Sequence, residues 1–418
     1  MMDFIHDTGQ SRMTPSDTSS STPSDGISSA LVMLFAFCCG AIVANVYYSQ
    51  PIINMIAGDI GLSESSASLI VALTQGGYAL GLLFLVPLGD LLENRRLLIT
   101  TILISAASLV LAGLADAPSS FLLWSLLIGV SSVSVQILIP LAAHLSAEHS
   151  RGRVVGNIMS GLLLGILLAR PASSLLADHF GWRCIFFVGA ALMLLVGGVV
   201  WRVVPSRQPR HTSSYPALLK TLGKLLRDEP VLRRRSLYQG LMFAAFSLYW
   251  SAVPLELVNE HGFSQTQVAL FALVGVLGAV AAPISGRLAD AGHTSIATVG
   301  ALVLASASFA TGLMPMTLQV VALAVTGLLL DFAVQTNMVL GQRAIYSLDP
   351  ESRGRLNAIY MTSIFVGGAI GSALTSLIYA HLGWNGIMAI GGALPLVALV
   401  WLLVSRSRSQ DEASPTTD

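Results

Sequence analysis

Two phrases in this 418-residue chain each occur twice, with the copies 202 residues apart. Arg151-Gly152-Arg153 returns as Arg353-Gly354-Arg355, and His179-Phe180-Gly181-Trp182 returns as His381-Leu382-Gly383-Trp384. A third pair, Leu88-Gly89-Asp90 and Leu288-Ala289-Asp290, is offset by 200. Unrelated matches would not share one spacing, so the chain divides into two related halves of about 200 residues each. Its fold must be one that a single pattern can build twice.

Each half is too apolar for a water-soluble domain. Hydrophobic residues make up 54% of the chain and charged residues 11%, which leaves too little charge to cover a soluble surface of this size. The apolar residues come in blocks of roughly 20, the length of a helix that crosses the hydrocarbon core. Twelve such spans are expected, at 29–50, 65–88, 96–115, 120–143, 154–177 and 183–203, then 236–257, 266–288, 295–314, 318–343, 355–380 and 384–404. The alternation of an outer-membrane barrel is absent. The expected fold is an all-α membrane protein with twelve transmembrane helices in two six-helix bundles, 29–203 and 236–404. A Ser/Thr/Pro/Asp-rich tail over 1–28, expected to be disordered, precedes them; a linker over 204–235 joins them, and a tail over 405–418 follows. Six spans per half is an even number, so both copies enter the bilayer in the same sense, as parallel repeats.

Basic residues set the orientation. With a cytoplasmic N-terminus, 20 of the 22 Lys and Arg fall on the cytoplasmic side, and Arg170 and Arg183 alone lie elsewhere. Both termini are therefore expected in the cytoplasm. In the linker, Leu218, Leu222, Leu225 and Leu226 recur at helical spacing opposite Lys220, Lys224 and Arg227, with Pro230 as a stop. That pattern fits a short amphipathic helix on the inner leaflet, or a solvated linker with some helical character. The formal net charge is zero, so nothing draws the chain to nucleic acid. Cys38, Cys39 and Cys184 sit inside apolar blocks and give neither a disulfide framework nor a zinc spacing, and no metal or other cofactor is expected. No Walker A sequence, Gly-x-Ser-x-Gly or His-Glu-x-x-His is present, which disfavours ATP-driven transport and enzymology; no catalytic residue is expected.

Polar groups within the apolar blocks are then the candidates for function. Asp331 stands near the middle of span 10, about 20 Å from either end at the helical rise. An Asp there costs about 2.5–3.5 kcal/mol on insertion scales, and its side chain is too short to reach the interface. It suits a group that exchanges a proton as a cavity faces each side in turn, or a structural acid held by a neighbour. Gln335 lies one turn on, on the same face. Arg170, in the outer third of span 5, is a possible buried charge that either reaches the outer headgroups, pairs with an acid such as Asp178, or forms an anion site. Glu256, at the outer end of span 7, reads as a solvated end residue.

At this point the residues resemble the major facilitator superfamily from about residue 29 to 404. Leu88-Gly89-Asp90-Leu91-Leu92-Glu93-Asn94-Arg95-Arg96 is similar to that family's signature between helices 2 and 3, although Val86 and Leu91 depart from it. Gly286-Arg287-Leu288-Ala289-Asp290 keeps the Gly and Asp of the second copy. Asn45-Val46-Tyr47-Tyr48-Ser49-Gln50-Pro51 and Gln75-Gly76-Gly77-Tyr78 resemble the bacterial drug/proton antiporter branch. The helix 5 mark of antiporters, Gly-Pro-x-x-Gly-Gly, is only echoed by Arg170-Pro171-Ala172-Ser173-Ser174.

The resemblance implies that spans 1, 4, 7 and 10 line a central cavity and that spans 2, 5, 8 and 11 face across the halves. Candidate cavity residues are then Asn45 and Tyr48, Gln75 and Tyr78, Gln136, Gln239, Phe243, Phe246, Trp250 and Gln335, with Asp331 for proton coupling. Asp90, Arg95, Arg96 and Asp290 are candidates for a conformational latch, since a loop carboxylate can bond to the next helix start or to Arg in one state only. Gly77/Gly81, Gly161/Gly165, Gly367/Gly371 and the near-equivalent Gly275/Ala279 flatten faces that either slide between the halves or pack statically.

These features lead to a secondary active transporter in a bacterial inner membrane, working as a monomer, whose partners are the bilayer, protons and a small-molecule substrate. Export of small, largely apolar compounds by proton antiport with alternating access is the leading reading. Uptake of a metabolite such as an organic acid by proton symport is the alternative, which Arg170 favours if it faces the cavity. A sensor without transport is the third, disfavoured because no sizeable extramembrane region is evident.

Overall fold

The structure, a computed structural model, describes residues 28–147, 150–206, 208, 214–275, 281–314, 318–349 and 352–411. Residues 1–27 of the expected 1–28 tail, the last residues 412–418 and Ala279 lie outside them. Among the described residues no strand is present. Among the described residues the helical segments group into twelve bundle helices. In the first half they are α1 Ser29–Ala44, α2 Leu69–Phe84, α3 Asn94–Gly113, α4 Pro118–Leu145, α5 Arg151–Phe180 and α6 Arg183–Val203. In the second they are α7 Pro230–Asn259, α8 Gln265–Ala272 with Ala281–Asp290, α9 Thr294–Thr311, α10 Gln319–Tyr346, α11 over 353–382 and α12 over 384–411. The linker holds a separate helix, Tyr215–Asp228, that buries Leu218 and Leu222 and exposes Lys220, Lys224 and Arg227.

Helix ends follow from residue chemistry. Pro118 and Pro230 open α4 and α7, where the first N–H has no intrahelical acceptor and its loss is harmless. Ser264 and Gln267 form a capping box at the start of α8. Four glycines with positive φ turn the chain at helix junctions on the end opposite the linker helix, and they come in repeat pairs: Gly61 (72°) with Gly262 (63°), and Gly181 (83°) with Gly383 (61°). A Cβ is unfavourable in that region, so glycine is retained in both copies.

Helix α1 departs from the straight span expected over 29–50. The chain passes through turns at 45–49 and a 3₁₀ turn at Gln50–Ile52, then a short helix Ile53–Ile60. Pro51 explains the break, since it offers no N–H and its ring crowds the carbonyl four residues back. Ile52 N–H bonds to Ser49 instead of Tyr48, and the freed Tyr48 carbonyl accepts from Ser173 Oγ of α5 at 2.6 Å. An exposed carbonyl is thus avoided within the bilayer.

The Gly-x-x-x-Gly pairs pack within each half rather than across it. Gly161 and Gly165 of α5 lie on the backbones of Ala36 and Gly40 in α1. The second half repeats this contact, with Gly367 and Gly371 of α11 on Gly240 and Ala244 of α7. Gly77 and Gly81 of α2 sit against Leu126 and Val130 of α4. Across the halves, α2 packs on α11 and α5 on α8, with Gly76 facing Ala369. Each half is therefore clamped by backbone-to-backbone contact, and the interface between halves is left to other residues.

We label the bundle end carrying the linker helix the linker side and the opposite end the far side. Arg183 on the far side pairs with Asp59 and, at 3.1 Å, with Asp116, which ties three far-side segments together. The clamps set one prediction. Gly371→Leu should destabilise the purified protein by about 1–3 kcal/mol through overpacking, whereas Gly156→Leu, on an open face of α5, should be neutral. Thermal denaturation in detergent checks this; equal stability of the two variants would contradict it.

Candidate functional site

Between the halves lies a cavity of about 1440 Å³ that reaches the linker-side mouth. Its wall includes Tyr47, Tyr78, Gln136, Arg170, Phe243, Phe246, Asp331 and Gln335, and its mouth includes Asp90, His144, Tyr346 and Arg353. The far side is shut. Ser68 and Ser376 exchange backbone N–H to hydroxyl bonds across α2 and α11, at 3.0 and 3.1 Å. Ile53, Val71 and Leu255 close into an apolar cluster beside Tyr379.

At the closed end of the cavity, α5, α7 and α10 bring two opposite charges together. Asp331, 8% exposed on α10, accepts from Trp250 Nε1 of α7 at 2.7 Å through Oδ1. The other face of this arrangement is Arg170, 3% exposed on α5, whose guanidinium lies 4.5 Å from the Trp250 ring centre. Tyr47 and Phe246 each stand 5.3 Å from the same guanidinium. Arg170 comes from one half and Trp250 with Asp331 from the other, so one indole separates the charges across the interface. Desolvated cation–π contacts of this kind are worth about 2 kcal/mol each. A void of about 10 Å³ lies beyond, lined by Pro51, Arg170 and Trp250 among others.

Arg170 does not reach the headgroups, and Asp178 bonds to Thr266 of α8 instead. Its Nε donates to Gln50 Oε1 at 2.8 Å, Gln50 Nε2 donates to Ser251 Oγ at 3.4 Å, and Ser251 meets Ser372 Oγ at 3.1 Å. This line of polar groups crosses between the halves. The 202-residue spacing places Ser372 opposite Arg170 in the repeat.

Glycines also make room at the closest helix contacts. Gly129 of α4 presses on the backbone of Thr74 in α2. In the second half Asp331 Oδ2 lies against Gly275, where a Cβ would stand 2.7 Å away.

Other candidates are placed as follows. Tyr78, Gln136, Phe243, Phe246 and Gln335 line the cavity, and Gln136 donates to Tyr78 Oη at 3.4 Å. Asn45 and Tyr48 do not, because that face of α1 packs inside the first half. Asn45 Nδ2 bonds to Ser105 Oγ at 3.3 Å, and the Tyr48 ring packs near Gly189. The cavity receives Tyr47 in their place. Gln75 accepts from Ser247 at 3.1 Å in the seam between halves. Gln239 accepts from Asn337 at 2.6 Å and donates to the Val334 carbonyl at 3.2 Å inside the second half. Glu256 is 4% exposed rather than solvated, accepting from Gln319 at 3.1 Å and Tyr379 at 2.8 Å. Of the latch candidates, Asp90 lines the mouth and Arg95 is half-buried. Arg96 pairs with Glu93 at 2.7 Å, and Asp290 pairs with Arg343 in its own half. No group of three metal-ligating side chains occurs among the described residues.

Residues 32–345 and 236–418 each match the Major Facilitator Superfamily. The chain belongs to that superfamily. It is a membrane-spanning transporter and not an enzyme. A putative uncharacterized transporter of Escherichia coli, YgaY, is 40% identical over 381 residues, covering 91% of this chain and 96% of the relative. A probable sugar efflux transporter of Helicobacter pylori is 24% identical over 391 residues, covering 89% and 95%. The crystal structure of the nucleoside transporter NupG shares the fold with a TM-score of 0.71 at 14% identity, covering 89% of this transporter and 99% of NupG.

Trp250→Phe keeps a ring over Arg170 and deletes the N–H that Asp331 holds. A buried bond to an ionised acceptor contributes about 1.5–3 kcal/mol, so stability of the purified transporter should fall by that amount. In an Asp331→Asn background the loss should shrink, measured as a thermal double-mutant cycle. Strictly additive losses would show that Trp250 does not hold Asp331.

Proposed function

We propose that this transporter exports small, largely apolar organic compounds from a bacterial cytoplasm by proton antiport, as a monomer in the inner membrane. In this reading the linker side is cytoplasmic, because 20 of 22 Lys and Arg belong to it. The cavity then faces the cytoplasm, ready to load. Asp90 and Asp290 serve as latches at the cytoplasmic ends of α2 and α8.

The observation that carries the reading is that Asp331 and Arg170 sit on opposite halves with Trp250 between them. An ionised carboxyl within the bilayer must be compensated, since an unpaired buried charge costs about 3–5 kcal/mol when its partner is removed. In the present state Arg170 compensates it. Rocking the halves to open the far side draws Arg170 away from Trp250, and Asp331 then needs another partner. A proton can fill that role, and so can a positive or hydrogen-bond-donating group on a substrate. Because the two are alternatives at one carboxyl, the carrier moves one inward and the other outward. The name of the Helicobacter pylori relative, a probable sugar efflux transporter, supports export. The aromatic wall of Tyr47, Tyr78, Phe243 and Phe246 supports an apolar ligand body.

One observation favours the second reading, uptake of an organic acid by proton symport: Arg170 does line the cavity. Proteoliposomes with an imposed pH gradient separate the two. Antiport predicts substrate movement against the proton flow, and symport predicts movement with it. Asp331→Asn is expected to lower proton-driven flux at least about tenfold while substrate exchange without a gradient survives. Substrate-induced proton movement that persists in Asp331→Asn would rule out this carboxyl as the coupling group.

A further inference from the structure

We propose that the cavity is built for amphoteric compounds, with an acidic group seated on Arg170 and a basic group on Asp331. The assignment rests on the export reading only in taking the central cavity as the substrate site.

Arg170 is the group that calls for a ligand. Its Nε is satisfied by Gln50 and its face by three aromatic rings, yet Nη2 is buried and has no hydrogen-bond partner. A guanidinium donor left unmatched in a site that excludes water is costly, and a carboxylate offers the planar pair of acceptors it fits. Arg170 lines the cavity, and an acidic group entering from the linker side gains Nη2 itself as the Trp250 ring withdraws. Gln50, the protein group that Arg170 holds, is a neutral amide, so the counter-charge in the present state is Asp331 across the Trp250 ring.

Asp331 supplies the complementary end. Trp250 Nε1 occupies Oδ1, while Oδ2 lies against Gly275, whose lack of a Cβ makes room for it. The cavity wall includes both Asp331 and Gly275. Arg170 has no counterpart in the second half, where the 202-residue spacing places Ser372. Each half thus contributes one charge, of opposite sign, to the same cavity.

A dipolar ligand matches both charges. Its basic group takes over at Asp331 as the halves part, and its acidic group stays with Arg170 when the Trp250 ring withdraws. A purely cationic ligand would leave two positive charges facing one carboxyl, and a purely anionic one would reverse the imbalance. Between the ends, Tyr47 and Phe246 suit an aromatic or otherwise apolar body.

The test compares four matched probes on the full-length transporter in lipid nanodiscs by titration calorimetry. They are 4-(aminomethyl)benzoic acid, its methyl ester, its N-acetyl acid, and the doubly capped neutral compound. The dipolar acid is expected to bind at least about tenfold tighter than any capped form. Arg170→Gln should abolish its advantage over the ester, read as the ratio of the two affinities. Asp331→Asn should abolish its advantage over the N-acetyl acid. Arg170→Lys, which keeps the charge and guards against a folding defect, should retain part of the preference. Equal binding of the ester or the neutral form to the unmodified protein, or binding of none of the four, would overturn the assignment. Those results would leave proton exchange at Asp331 intact, because the pH-gradient assay reads coupling and not ligand charge.

Discussion

The structure turns on one buried contact between the halves: the Arg170 guanidinium laid on the Trp250 ring, whose N–H is held by Asp331. Neither charge is tolerable alone in the bilayer interior. Each is made tolerable by a group from the opposite half, so the electrostatic requirement of the site and the closure of the far side are one requirement. The Gln50–Ser251 bond and the reciprocal Ser68–Ser376 pair extend that closure along the interface. These are neutral hydrogen bonds of modest net worth, about 0.5–1.5 kcal/mol each. Such a seam can separate without unfolding either half.

In the proposed cycle the halves move as bodies, which the duplicated architecture suits. Close backbone approaches of α5 on α1 and of α11 on α7 lie inside each half and repeat in both. The two copies differ at the closed end of the cavity: Arg170 of the first half stands where the 202-residue spacing gives Ser372 in the second.

The sequence made the architecture legible because its signals are long and redundant. Twelve apolar blocks and a constant repeat spacing do not depend on any single residue, and the family matched confirms the fold they imply. Asp331 was legible because an acid in mid-span has few explanations. Side-chain direction was harder. Asn45 and Tyr48 share a polar helical face that looks like a cavity wall, but an amide between packed helices is equally satisfied by Ser105. Pro51 was visible, and its break of α1 is local, but nothing in the pattern says that Tyr47 rather than Tyr48 meets the cavity. Glu256 near a span end looked solvated because its partners Gln319 and Tyr379 are 63 and 123 residues away. The glycine pairs carried no information on which neighbour they would touch.

The central claim is that the far-side seam opens and closes in every transport cycle. Its most direct measurement is a reversible cross-link across that seam, with Ser68→Cys and Ser376→Cys in one chain otherwise free of cysteine. Oxidation should stop transport, reduction should restore it, and the linker-side cavity should stay reactive to a soluble thiol probe at an added mouth cysteine in both states. Undiminished transport with the disulfide formed would contradict the account.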